Sequence, residues 1–355
     1  MNDQFKHRAA NNRGSRTQFT ITTHLPFDML YASTQKDKME KMTNQSKVQA
    51  FISVLALCAL SLITTFFPVS GENARTRPAL WKIHGATGDV YLFGSFHILP
   101  KGLDWRHPEL ERALQSAQRL EFEIDLDEAQ NVAAMGGLIQ RYGLLPPGHS
   151  LHKMLAPEYR KKLDDTVTSL GLAPASIDRM RPWLVALTIT SLSIVKLNTK
   201  PGDEIDPRAA TTDQGGADIQ LWNWAKANDK ERGALETTEN QIRVFADLNR
   251  DQEIQYLIMT LVQTAEMSQS IEDLLTAWKN GDTQTLDKSL NGEMDSFPAM
   301  RKALFQDRHE KWLPQIEAML HDGKTHVVVV GAAHLVGKGS VIHLLRTKGV
   351  KVEGP

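Results

Sequence analysis

Two short segments of this chain share a pattern with chemical potential. Tyr91-Leu92-Phe93-Gly94-Ser95-Phe96-His97 and Val328-Val329-Val330-Gly331-Ala332-Ala333-His334 each read as an apolar strand followed by Gly-x-x-His. A glycine lets the chain turn tightly as it leaves a sheet. The histidine then stands beyond the carboxyl end of the strand, where open α/β sheets bind their ligands. One Gly-x-x-His arises by chance, and a loop histidine bonded to backbone accounts for it. Two in the same strand context point to two imidazoles in one site. The third element is Glu123, in Glu121-Phe122-Glu123-Ile124-Asp125. Strand alternation puts Glu121, Glu123 and Asp125 on one face. Three acids on a buried face are costly unless a metal ion or an arginine meets them; an edge strand with a solvated acidic face is the alternative. His97, Glu123 and His334 together make a divalent-metal set that leaves positions open for water. Such an ion acidifies water and polarises a carbonyl, and a spare carboxylate serves as general base.

The elements that would position these residues form one pattern. Trp81–His84 and Val90–Phe93 flank a Gly/Asp turn and predict a hairpin. A helix is expected from about Pro108 to Gln118, then a buried acidic strand over Leu120–Ile124. Met180–Leu197 is apolar nearly all round, too short to span a bilayer, and reads as a buried core helix. Gln252–Trp278 carries apolar residues at helical spacing, and helix signals recur at 298–320. Thr325–Val330 is a β-branched strand, Ser340–Lys348 a helix with Ser340 as N-cap, and Val350–Val352 a last strand. The expected fold class is α/β (α+β): a mixed sheet from two duplicated strand–Gly-x-x-His halves, enclosing a large helical middle.

Composition bounds the function. The chain has 355 residues with 41 Lys/Arg and 42 Asp/Glu, so it has no basic footprint for nucleic acid. Its 41% hydrophobic content suits a globular protein. A single cysteine, Cys58, excludes an intrachain disulfide and a cysteine-rich metal site. The charge is unevenly spread. Residues 1–47 hold eight Lys/Arg and four Asp/Glu, residues 48–71 hold neither, and the body is mildly acidic. Residues 1–41 read as a disordered basic leader or an over-extended start, with Met39 and Met42 just before the apolar run. Residues 42–71 read as a signal peptide ending near Val69-Ser70-Gly71, or as an inner-membrane anchor through 48–69. Either places the body, residues 75–355, outside the cytoplasm: periplasmic, secreted or anchored.

Several pieces of the body resemble the TraB/GumN family, which includes the Tiki metalloproteases. They are LWKIHGATGDVYLFGSFHILP, LEFEID, GADIQLWNWAKAN, ALETTENQ, QDRHEKWLPQIEAML and VVVVGAAHLVGKGSVIHLLRTKGVKV. The resemblance runs from about Leu80 to Val352. It implies an erythromycin-esterase type of α/β fold and a site at Gly94, His97, Glu123, Gly331 and His334. It also implies metal-dependent peptide hydrolysis, with manganese or cobalt favoured and zinc possible. Gly216, Asp218, Glu236, Gln241 and Arg308 match the family pattern as well. Arg308 is expected to steady an oxyanion or pair with Glu123, or else to be a surface helix charge. His309 stands where relatives often carry Asn.

Better-known signatures are missing. His309-Glu310-Lys311-Trp312-Leu313 lacks the second histidine of a zincin, no Gly-x-Ser-x-Gly elbow is present, and Gly337-Lys338-Gly339-Ser340 lacks P-loop spacing. The leading reading is a cell-envelope metallohydrolase acting on a peptide or small-molecule substrate. In it, His97, Glu123 and His334 hold the ion, and Glu123 and Arg308 take part in catalysis. The alternatives are a metal-free ester hydrolase and a non-catalytic envelope binding protein linked to polysaccharide or surface processes.

Overall fold

The structure, a computed structural model, describes residues 76–97, 99–100, 102–197, 215–264, 267–292, 294 and 297–355. The basic leader, the apolar stretch and Cys58 lie outside the described residues. Among the described residues, no helix is long and apolar enough to cross a membrane.

Six strands form one mixed sheet. In chain order they are β1 (Leu80–His84), β2 (Asp89–Ser95), β3 (Arg119–Phe122), β4 (Glu231–Ala234), β5 (His326–Gly331) and β6 (Val352–Glu353). Their spatial order is β4-β3-β5-β2-β1-β6. The inner pairs are parallel, whereas β1 runs antiparallel to both β2 and β6. The first and last strands of the body therefore meet at one edge. The expected hairpin is present: β1 and β2 pair from Leu80↔Phe93 to His84↔Asp89. Its turn closes with Gly85 N–H donating to Gly88 O at 2.9 Å. A Cβ at Gly85 would lie 2.3 Å from that oxygen, so the turn requires glycine.

β5 is buried along its whole length, and its HVVVVG sequence explains why it is central. A parallel strand covered on both faces reads as a continuous β-branched run. β3 ends at Phe122, two residues short of expectation. β4 has no legible sequence signal: Glu-Arg-Gly-Ala is a partly exposed edge strand.

The helices are α1 (Pro108–Ser116), α2 (Glu128–Tyr142), α3 (Leu151–Met154), α4 (Pro157–Ser169), α5 (Pro174–Ile177), α6 (Pro182–Leu197), α7 (Ala217–Ala227), α8 (Thr238–Ala246), α9 (Arg250–Gln263), α10 (Met267–Lys279), α11 (Thr283–Asn291), α12 (Pro298–Arg301), α13 (Asp307–Met319) and α14 (Val341–Thr347). A π-helix, Lys302–Gln306, joins α12 to α13, and a 3-10 turn, Ala332–His334, follows β5. Two hydrophobic clusters result. One surrounds the sheet. The other packs the middle helices, chiefly α2, α4, α6, α8 and α9, around Trp183, Leu184, Phe245 and Leu257.

α6 is the buried helix the sequence predicts. It tolerates hydroxyls because Thr188, Thr190 and Ser191 each donate back to the carbonyl four residues earlier, at 2.8, 3.0 and 2.8 Å. Buried hydroxyls without such partners would each cost about 1–3 kcal/mol. Arg181 anchors the start of α6. It pairs with Glu253 on α9 at 2.5 Å and donates to Tyr142 O and Ala246 O, at the ends of α2 and α8.

His152 ties together α3, α4 and the end of α5. Its Nδ1 lies 2.6 Å from Asp178 and its Nε2 2.7 Å from Asp164. Burial opposes its charge, but the bonds to Asp164 and Asp178 outweigh it and raise its pKa above the ordinary histidine value. The contribution of His152 is therefore complete below about pH 6.5, the unfolded value, and fades as pH rises through the folded one. Asp178 is held down at about 2 against its own burial, so acid removes its part only at lower pH. The thermal stability lost in His152→Gln should thus be larger near about pH 5.5 than near about pH 8.5, by about 1 kcal/mol for a pair partly open to water. Equal losses at both pH values would refute a charged histidine here.

Candidate functional site

The two Gly-x-x-His segments leave the sheet side by side. β2 and β5 are parallel neighbours, with Gly94 opposite Val330 and Ser95 opposite Gly331. Gly94 packs against the turn after β5, where a Cβ would lie 3.1 Å from Ala332 Cα. His97 and His334 therefore emerge from adjacent strands at the same end of the sheet. Glu123 follows β3 on the other side of β5.

These side chains converge on the bare α-carbon of Gly331. A Cβ placed there would lie 3.2 Å from His97 Nε2, 3.3 Å from Glu123 Oε1 and 3.6 Å from His334 Cδ2. Glycine at 331 thus leaves a cradle open between the three. Glu123 is fixed on both oxygens. Oε1 accepts from Gly331 N–H at 2.6 Å, while Oε2 accepts from Arg308 at 2.7 Å and Gln241 at 3.2 Å.

Arg308 is the hub. Besides Glu123, its guanidinium donates to Glu236 at 2.5 and 3.0 Å and to His334 Nε2 at 2.9 Å. It also stacks over Trp312 at 4.5 Å. Burial opposes its charge, and Glu123 and Glu236 restore it with a raised pKa. Glu236 reaches it from the end of β4, where Glu236 N–H donates to Glu123 O at 2.9 Å. The unreadable edge strand therefore delivers one of the site's carboxylates.

The protons on both histidine pairs follow from their partners. A guanidinium only donates, so His334 Nε2 is an acceptor and its Nδ1 carries the hydrogen. That Nδ1 meets His309 Nε2 at 2.9 Å, and His309 Nδ1 in turn donates to Gly339 O at 2.9 Å. Both rings are neutral. Burial, then Arg308 and the neighbouring imidazoles, holds His334 well below the ordinary value. Burial pushes His309 down to about 4 against its Gly339 bond. His97 differs. Its Nδ1 lies 2.6 Å from Asp218, in the first turn of α7. Burial works against its charge, but Asp218, aided by Glu123, raises its pKa. Its Nε2 is buried without a partner.

Gly216 makes the Asp218 contact possible. A Cβ there would come within 2.2 Å of the His97 backbone, so only glycine lets α7 approach this closely. Ala217 N–H then donates to Phe96 O at 2.8 Å.

The structure thus brings together Gly94, His97, Glu123, Gly216, Asp218, Glu236, Gln241, Arg308, Gly331 and His334. It corrects two expectations. Glu121, Glu123 and Asp125 do not share a working face, because the strand ends at Phe122. Glu121 pairs with Arg119, and Asp125 is exposed and accepts from Asp127 N–H. Arg308 is no surface charge. Trp312 and the π-helix residues Leu304 and Phe305 border the centre too; a single tryptophan and an irregular helix leave no spacing signal to read.

An ion fits this centre in two respects. His97 has the form of a metal ligand, with one nitrogen on a carboxylate and the other unpartnered in a buried cradle. Glu123 and Glu236 share the Arg308 guanidinium while Asp218 backs His97, so the centre gathers more carboxylates than its one arginine and a divalent cation would help to balance them. His334 is the exception, since its Nε2 lone pair is engaged by Arg308. Among the described residues, no three His, Cys, Asp or Glu side chains already stand grouped as an ion's ligands.

A mixed α/β sheet that closes two strand–Gly-x-x-His units on a shared acidic centre defines the class. The chain belongs to the TraB/PrgY/gumN family, whose profile matches residues 79–354. Metalloprotease TIKI1 of Danio rerio is 24% identical over 315 residues, covering 74% of this chain and 60% of that protein. Metalloprotease TIKI2 of the same fish is 26% identical, covering 74% of this chain and 58% of that protein. YbaP of Escherichia coli, an uncharacterized protein, is 24% identical over 80% of this chain and 98% of its own. The chain spans about three fifths of the length of these two Tiki relatives. No solved structure matches it. The relatives' names support a distant link to hydrolases of the protease kind.

Proposed function

We propose that this chain is a peptide hydrolase acting outside the cytoplasm, with its centre at His97, Glu123, Arg308 and His334. One observation carries the reading: His97 Nε2 is buried, unpartnered and backed by Asp218 beside Glu123. A divalent cation, manganese or cobalt before zinc, would be held by His97 and Glu123, and by His334 once Arg308 releases it. When bound, such an ion polarises a carbonyl and makes water acidic enough to attack at neutral pH. The chain's own residues do the rest. Asp218 keeps a proton on His97 Nδ1, so that the Nε2 lone pair faces the cradle. Gly331 N–H and Gln241 hold Glu123 in place to bind or to take a proton. Arg308 supplies fixed positive charge for an oxygen that gains charge as the carbonyl is attacked.

A metal-free hydrolase is the second reading, and the same geometry gives it a specific basis. The Asp218–His97 pair is a general-base dyad, and Arg308 already places a cation beside it. Elemental analysis of the full chain after manganese, cobalt or zinc loading separates the two. One ion per chain is expected, lost in His97→Ala and in Gly331→Ala, whose added methyl intrudes on the cradle, with circular dichroism checking that each variant folds. No ion, with peptide or ester cleavage that survives chelation, would favour the metal-free reading. No ion and no cleavage would leave a binding protein.

A further inference from the structure

A cavity of about 70 Å³ opens beside the centre. That is several times the ~10–15 Å³ that one water needs and falls far below the ~300–1,000 Å³ of a whole-ligand pocket. It has the scale of one side chain. Part of its lining is polar and belongs to the centre: Ser95, His97, Arg308 and His334. Of these, Ser95 Oγ and His97 Nε2 are buried without partners. Much of the rest is apolar, with Leu187, Phe245, Leu290, Met294, Leu304 and Phe305 beside the ring of Tyr256. Thr190 also lines it, its hydroxyl donating to Ala186 O at 3.0 Å. Arg308 in the lining is already paired with Glu123 and Glu236, and His97 with Asp218. The apolar part of the lining offers no group that would neutralise a charged side chain.

The wall is also built in an unusual way. Leu304 and Phe305 sit in the π-helix Lys302–Gln306, which runs directly into Arg308 and His309. Such helices are rare and concentrate at functional sites. Here the wider turn puts two apolar side chains over the cavity while Arg308 reaches the centre.

We infer that this cavity is the specificity pocket of the centre: it takes a medium-sized apolar side chain, of leucine or methionine size, from the residue adjoining the cleaved bond. Ser95 Oγ, unpartnered in the protein, then faces that residue's backbone polar groups. The inference rests on the hydrolase reading for the words "cleaved bond", but the binding it predicts does not.

The test uses the full chain and two readouts. Ligand-observed NMR titration compares N-acetyl-leucinamide, N-acetyl-alaninamide and N-acetyl-aspartamide. Three more buried carbons at about 0.8 kcal/mol each would give about 50-fold, so a preference of at least about ten-fold for the leucine probe over alanine is expected. The aspartate probe should bind no better than alanine. Leu304→Trp, at a half-buried position, should fill the pocket and abolish the preference. Phe305→Ala should widen it and shift the preference to N-acetyl-phenylalaninamide. Circular dichroism confirms that each variant folds. Equal binding of the leucine and alanine probes, or a leucine preference untouched in folded Leu304→Trp, overturns the inference. The second readout is cleavage of peptides that differ only at the residue beside the bond. Cleavage with no apolar preference would sink the pocket and keep the hydrolase. Leucine-selective binding with no cleavage of any peptide would keep the pocket and sink the hydrolase.

Discussion

Replacing Arg308 by leucine is expected to lower the unfolding free energy by about 3–5 kcal/mol, the cost of removing one partner from a buried ion pair. Two carboxylates, Glu123 and Glu236, share this guanidinium, and their side chains are only 8% and 4% exposed. Leucine would leave both charges buried and unpaired, and would remove the donor from His334 Nε2. Denaturant unfolding of the full chain measures the loss. The origin can be isolated. Arg308→Met combined with Glu123→Gln and Glu236→Gln removes the charges together and should regain most of the stability, since apolar or neutral replacements of buried ion clusters are often neutral. A triple variant no more stable than Arg308→Leu would mean that packing on Trp312, rather than charge, dominates. Neither variant should retain activity.

The second large effect lies at Trp278. Trp278→Ala should cost about 3–5 kcal/mol, the usual range for deleting a buried tryptophan. The indole stacks on Phe96 at 5.6 Å and meets Phe93 edge-on at 6.3 Å, with Trp105 at 5.9 Å. Its Nε1–H donates to Gly94 O at 2.8 Å. It therefore braces the end of β2 that leads into His97. Trp278→Phe keeps most of the packing and strands only the Gly94 carbonyl, so it should cost about 1–3 kcal/mol. If the two variants lost equal stability, the hydrogen bond rather than the ring contacts would be the main term.

Much of this was legible in the sequence, and for identifiable reasons. The β-branched run of β5 and the Gly/Asp turn after β1 are local signals, and both elements form where expected. The Gly-x-x-His repeats marked both histidines because each rides on a strong strand pattern. Alternation misassigned Glu121 and Asp125, since it assumes a strand that continues, and β3 stops at Phe122. Arg308, Asp218, Glu236 and Gln241 came through family resemblance alone. Their residue types are ordinary surface types, and only tertiary packing gathers them. His309 gave no usable signal: its part is to accept the proton of His334, a contact between a helix and a turn. β4 was missed because an edge strand of Glu-Arg-Gly-Ala has no apolar rhythm.

Strand β5 sits between β2 and β3, although it is made long after both. Until it arrives, the sheet is two separate ribbons, β4 with β3 and β1 with β2, and the Gly331 cradle does not exist. A chain emerging from the ribosome must therefore wait for β5, made more than 200 residues after β3 begins, before its centre assembles. Pairing across such sequence distance is slow, since loop closure precedes any reward from contacts. The delay also protects. A copy that lacks β5 carries His97 and Glu123 but no strand to join them, so the proposed peptide hydrolase has no assembled centre until β5 is in place.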